Sequence, residues 1–289
     1  MATAYDKQSE VSGGIVDAHC HAGRGDGLTG PWDTNAPLEQ YLLRAAKAGI
    51  SRTVLLAAFH SDYAVANQEV ARIVASRPDR FYGFAFVNAE RDRGRVYKMV
   101  KTAVEEYGFR GIKVHRHDAR ITREVCETAR AFSLPVLYDV MGEVTAAELL
   151  ATEYPDVAFI IPHMGSFADD WRAQLGLIDS LVRYPNIYAD TSGVRRFDLL
   201  EQATRRAGAR KIIFGTDGPW LHPAVELSKV RALNLPADEE RLVLGENILK
   251  LLSRWRRQQG SERDIIPAAS TGARPAPRDP WEGEQFPTY

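Results

Sequence analysis

The sequence predicts an α/β fold, a closed (β/α)8 TIM barrel followed by a flexible C-terminal tail. Three observations carry this. Eight short β-branched or apolar runs alternate with longer segments of helical period, and runs apolar on both faces suit parallel strands covered by helices. The 289 residues slightly exceed the roughly 250 usual for such a barrel, leaving a surplus for a tail. An open doubly wound sheet is the rival, but eight repeats favour closure. The first strand also ends in Asp17-Ala18-His19-Cys20-His21 rather than in a glycine-rich dinucleotide turn.

The expected strands are residues 15–19, 53–57, 82–87, 111–115, 135–139, 158–163, 187–190 and 211–217. Between them lie amphipathic stripes. Leu38, Tyr41, Leu42, Ala45 and Ala46 form one, closed by Gly49 at a C-cap position. Val96, Met99, Val100, Ala103, Val104 and Tyr107 form another, ended by Gly108. Leu175, Ile178, Leu181 and Val182 form a third, stopped before Pro185. A last helix is expected over roughly residues 239–257. Residues 1–12 read as a flexible leader, 13–257 as the barrel and 258–289 as a Pro-rich tail with Pro267, Pro275, Pro277, Pro280 and Pro287.

A net charge of −1 gives no ground for a nucleic-acid partner. No apolar run reaches the roughly 18 residues of a membrane span, so no membrane partner is expected. The polar N-terminus lacks the apolar stretch of a secretory signal. Two cysteines, Cys20 and Cys126, form no disulfide framework, and a reducing cytoplasm is the expected location. The expected partner is a small-molecule substrate; a homodimer is compatible with the sequence.

In a closed barrel the C-terminal strand ends share one mouth. His19, His21, His115, Asp139, His163, Asp190 and Asp217 all stand there. Packing alone would not choose four histidines and three acids, because buried polar groups need partners. His19 and His21 are two apart on a strand, so both imidazoles face one way and can chelate one metal, while Cys20 turns into the wall. Asp217 ends the strand that closes against the first. It can ligate, take a proton from a water, or simply cap the Gly218-Pro219 turn.

Asp17-Ala18-His19-Cys20-His21, Gly111-Ile112-Lys113-Val114-His115, Ile161-Pro162-His163-Met164-Gly165 and Phe214-Gly215-Thr216-Asp217-Gly218-Pro219 occur in an order that resembles the amidohydrolase superfamily. The likeness is to its amidohydrolase-related (family 2) branch, which includes aminocarboxymuconate-semialdehyde decarboxylase-like enzymes, and covers roughly residues 14–252. It implies a barrel of the metal-dependent hydrolase type with one divalent ion, Zn²⁺ first and Mn²⁺ or Mg²⁺ as alternatives. His19 and His21 match first-strand ligands, Asp217 the eighth-strand aspartate, and His163 a sixth-strand acid/base. The sequence departs from the pattern at Asp139, where the family places a histidine ligand. A carboxylate binds zinc at a similar distance, so Asp139 is expected as a fourth ligand. The other outcome is a degraded site.

Lys113 resembles a lysine that is carboxylated in some superfamily members; its simpler reading is a cation that binds a substrate carboxylate or pairs with Asp139. His115 is expected to contact substrate or to supply the missing nitrogen ligand. Arg24 and Trp220 are expected near the substrate on loops. Trp32, Arg195, Arg196, His60 and His222 read more simply as loop residues. The expected reaction is hydrolysis of a small amide, lactone or ester by a metal-activated water, with Asp217 as base and His163 as proton donor. The alternatives are non-oxidative decarboxylation of a small aromatic or enol acid, and a degenerate barrel without catalysis.

Overall fold

The computed structural model describes residues 14–29, 35–167 and 170–254. The expected leader over residues 1–12, the tail from residue 258 and Trp32 lie outside the described residues.

Strands β1 (Ile15–Arg24), β3 (Ile50–Ala57), β4 (Phe81–Phe86), β5 (Gly111–His115), β6 (Val136–Asp139), β7 (Phe159–Ile161), β8 (Ile187–Asp190) and β9 (Ile212–Ile213) pair in parallel, in sequence order. A two-residue strand β2 (Asn35–Ala36), which no apolar run announces, adds antiparallel to the end of β1. The crossovers are α1 (Leu38–Lys47), α2 (Tyr63–Ser76), α3 (Val96–Glu105), α4 (Arg123–Phe132), α5 (Val144–Glu153), α6 (Trp171–Arg183) and α7 (Phe197–Ala207), and α8 (Pro223–Ala232) follows the last strand. The single helix expected over residues 239–257 is instead α9 (Ala237–Arg241), a π-type turn over Leu242–Glu246 and α10 (Asn247–Leu252).

The first and last strands meet. Ala18 N–H donates to Phe214 O at 3.0 Å, His21 N–H donates to Gly218 O at 2.6 Å, and Cys20 bridges to Gly218. These bonds close the barrel, because a closed sheet leaves no edge. The eighth strand is shorter than expected. Beyond Ile213, Thr216 turns its N–H and hydroxyl to the Asp17 carboxylate at 2.9 and 2.5 Å, and Asp217 takes a left-handed backbone with φ 55°.

A β-bulge interrupts β1 between Asp17 and Cys20. Strict alternation would put Asp17 on the same face as His19 and His21. The bulge separates them. Asp17 and Cys20 both turn toward Tyr41 on α1, and the Tyr41 hydroxyl donates to Asp17. Ala18 joins Val16, Leu56, Phe84, Leu137, Ile160 and Ile213 in the apolar core. His19 and His21 are left facing the mouth above it.

Candidate metal centre and active site

The His19 ring is held from behind. Its Nδ1 lies 2.8 Å from Asp190 Oδ2, so Nδ1 carries the proton and Nε2 presents a lone pair. The His21 Nδ1 donates to Ala57 O at 2.8 Å, which fixes the same tautomer. Both Nε2 atoms face one carboxylate oxygen, Asp217 Oδ1, at 3.4 and 3.6 Å. Burial, reinforced by His19 and Lys113, pushes His21 well below the ordinary imidazole range and keeps it neutral, the form that ligates. The cap of α8 is His222, whose Nδ1 accepts from Ala224 N–H, so the Asp217 carboxylate is not spent there.

These three residues pass a test for a metal. Their ligand atoms lie within 4.8 Å of one another. His19 Nε2 is buried and has no hydrogen-bond partner. An orphaned buried polar atom costs roughly 1–3 kcal/mol, a penalty that a coordinated cation removes. Two imidazole nitrogens and a carboxylate oxygen, with a side open to a cavity, suit a catalytic divalent ion.

The second tier of the site is a hydrogen-bonded mesh. Asp190 Oδ1 accepts from Ser192 N–H at 2.7 Å and from Ser192 Oγ at 2.5 Å. Against a burial penalty that alone would raise it, His19, His163 and Ser192 hold the Asp190 carboxyl down to about 2. His163 Nδ1 donates to Ser192 O at 2.9 Å. Burial opposes charge on His163, but Asp217, Asp139 and Asp190 outweigh it and raise its pKa. His163, Met164 and Asp217 all have positive φ, between 52° and 56°. Such backbone costs about 1–3 kcal/mol per residue and gathers at functional sites.

Asp139 stands slightly apart. His115 Nδ1 accepts from His117 N–H at 3.0 Å, so its other nitrogen carries the proton. That nitrogen lies 3.2 Å from Asp139 Oδ2, and Asp139 Oδ1 accepts from Met141 N–H at 2.8 Å. His163 Nε2 is 3.5 Å from the same Oδ2. Despite burial, His115, His163 and Lys113 hold Asp139 well below the carboxylate range. Among the described residues, the His/Asp groups compact enough for an ion are His19, His21 and Asp217, and His19, His163 and Asp190; neither contains Asp139 or His115. A proton on His115 Nε2 also leaves it no lone pair there for a metal.

The cavity over these groups measures about 500 Å³. Lys113, His115, Asp139, His163 and Asp217 form its polar floor, and Phe59, Met141, Phe167 and Trp220 its apolar walls. The Trp220 ring lies 4.7 Å from that of His21. Arg24 is not brought in: its N–H bonds Glu69, and it lines a separate shallow hollow with Asp26 and Asn35. His60 accepts from Asp62 N–H, and Arg196 pairs with Asp198. Sequence reasoning noticed Asp190 at a strand end but gave it no role, and it missed Ser192, Phe59 and Phe167. Only the strand-end position of Asp190 was a usable signal; the other three lie on loops.

The sequence profile described as amidohydrolase matches residues 16–254. A search of curated proteins finds no significant match. Several solved structures share the fold. A 2,6-dihydroxybenzoate decarboxylase from Rhizobium is 18% identical, with TM-score 0.65 over 83% of this chain and 98% of its own. A dihydroxybenzoic acid decarboxylase from Polaromonas sp. JS666, with manganese and the inhibitor 2-nitroresorcinol bound, is 19% identical, with TM-score 0.64 over 83% and 97%. A candidate 2-pyrone-4,6-dicarboxylic acid hydrolase from Pseudomonas putida is 18% identical, with TM-score 0.63 over 83% and 97%.

Proposed function

The chain belongs to the amidohydrolase family, and on that premise we propose that it is a metal-dependent hydrolase of a small amide, lactone or ester. The observation that carries this is the convergence of two tautomer-locked Nε2 lone pairs on Asp217 Oδ1. His19, His21 and Asp217 would hold the ion, with zinc the best fit to this donor set and manganese, present in one structural relative, the alternative. When bound, a divalent ion supplies Lewis acidity toward a water and toward a carbonyl oxygen.

The chain's own groups do the rest. Asp217 has a second oxygen to accept the water proton and later return it to the leaving group. His163, kept basic by three carboxylates, donates a proton or a hydrogen bond to the developing oxyanion. Lys113 receives an anionic substituent at the cavity floor, and Trp220 with Phe59 covers the apolar body. The volume lies within the range for small-molecule sites.

A second reading is non-oxidative decarboxylation. It is favoured by the buried Lys113 and the proton-retaining His163 beneath apolar walls, an arrangement able to hold a ring carboxylate and protonate carbon. Incubation of the zinc- or manganese-loaded chain with small lactones, amides and aromatic acids in ¹⁸O-water separates the two. One ¹⁸O atom in the product supports hydrolysis. Release of CO₂ without label in the organic product overturns it in favour of decarboxylation.

A further inference from the structure

At the opposite end of the barrel, ahead of the first residues of β8 and β9, lies a second cavity of about 680 Å³. Its walls are the end of α6, the α7–β9 connection, the π-type turn and α10. Arg183, Arg206, Arg210, Lys211 and Lys250 line it, with Glu246 as the one carboxylate. The whole chain carries a net charge of −1, so this concentration of cations departs from the rest of the molecule. We propose that this basic cavity is a binding site for a phosphorylated small molecule, separate from the metal centre.

The bland alternative is a group of solvated surface cations. Three features argue against it. First, the counterions sit at the margin or elsewhere. Arg183 and Arg206 pair with Glu148 and Asp179, and Glu246 pairs with Arg241. Among the described residues, no carboxylate pairs with Arg210, Lys211 or Lys250. Second, Lys211 is partly withdrawn from water. Its ammonium donates to Tyr184 O at 2.6 Å and Pro185 O at 3.0 Å, and sits 4.9 Å from the centre of the Tyr188 ring. Burial lowers its pKa to about 8, so an anion beside it stabilises a charge that burial disfavours. Third, the cavity is formed in advance. The Asn247 side chain donates to Ala209 O and Ile212 O, both at 2.8 Å, tying α10 to the β9 approach. A concave site lined by one sign of charge focuses the field on an anion.

The ligand class follows from the lining. Arginine and lysine donors around one hollow suit phosphate oxygens, and Arg210, which no carboxylate pairs among the described residues, can present two parallel bonds. Val182, Leu242 and Tyr188 supply apolar surface beside them, which suits a phosphate ester with an organic body.

Calorimetric titration of the full chain with adenosine 5′-diphosphate and, separately, with inorganic pyrophosphate tests this. One-to-one binding is expected, tighter for the diphosphate ester. The double substitution Arg210→Glu with Lys250→Glu should weaken it at least tenfold. His21→Ala, which removes a donor at the metal centre, should leave it unchanged. Both changed residues are exposed, so the double variant should fold; an unshifted melting temperature verifies that. Equal affinity for the two probes would overturn the organic-body part of the inference. Absence of binding by either probe, or binding that falls with His21→Ala and survives charge reversal, would overturn the site. The last result leaves the metal-centre reading intact.

Discussion

Asp190 Oδ2 stands 2.8 Å from His19 Nδ1, and this one contact decides which nitrogen of His19 looks into the cavity. The two residues are 171 positions apart and come from β1 and β8. A carboxylate behind a histidine fixes the ring's tautomer and orientation and raises its strength as a donor.

Asp190→Asn should therefore weaken metal binding while every proposed ligand remains. The expected loss in affinity is about 10–100-fold. Competition for Zn²⁺ against a chromophoric chelator measures it. Unchanged affinity would mean that His19 does not depend on its partner.

Binding of an ion to the native state should also stabilise the fold. At a free metal concentration 100 times Kd, the gain is about 2.7 kcal/mol. For a barrel of this size that corresponds to a rise of roughly 5–10 °C in Tm. Differential scanning calorimetry with Zn²⁺ or Mn²⁺ added to chelator-treated protein reads it directly. A flat response to both ions would favour a barrel without a working metal site.

Much of this was legible in the residues. The barrel strands declared themselves because a parallel strand covered on both faces must be apolar throughout, as in Phe159-Ile160-Ile161. The ligand candidates were legible because each stands at the end of such a run. What stayed hidden depends on geometry that no single run encodes. The bulge in β1 separates Asp17 from His19 although both occupy alternating positions. The tautomer of His115 is set by the N–H of His117, two residues on in a turn. The path of the loop that carries Arg24 is likewise not encoded in its run, and the residue lines a hollow separate from the cavity over the metal site.

Asp139 is the sharpest departure from the family pattern, and its contacts suggest a test. Both of its oxygens face donors, His115 on one and Met141 N–H on the other. Asp139→Asn should keep the metal at the native stoichiometry, while the equivalent loss at His21 should not. Elemental analysis of the two variants after gel filtration compares them. Loss of metal from Asp139→Asn would restore this carboxylate to the ligand set.

Lys211 gives the fold a pH signature far from the mouth. Its folded pKa is about 8, lowered from 10.5 by burial. Between those values the unfolded chain binds more protons than the folded one, so this residue makes stability rise with pH across that window. Below about pH 8 the penalty of burying the charge is present in full. Replacement by methionine should flatten this part of the profile. Urea unfolding of native and Lys211→Met proteins at several pH values from 7 to 10.5 checks it, and parallel profiles would count against the burial argument.

Asp217 is asked to do two things, and one substitution can separate them. Asparagine keeps a neutral oxygen in place of Oδ1, so it can still donate to an ion beside His19 and His21. It cannot accept a proton from water at neutral pH. With metal saturating, Asp217→Asn should remain loaded and lose at least about 100-fold in turnover, the usual worth of a positioned base. Its affinity for the ion should fall as well, because a charged donor has become a neutral one. The measurement pairs elemental analysis with rates on whichever substrate the ¹⁸O screen identifies. Full turnover in a loaded Asp217→Asn protein would assign the proton to another acceptor, and the other carboxylate lining the cavity, Asp139, would then be the group to change next.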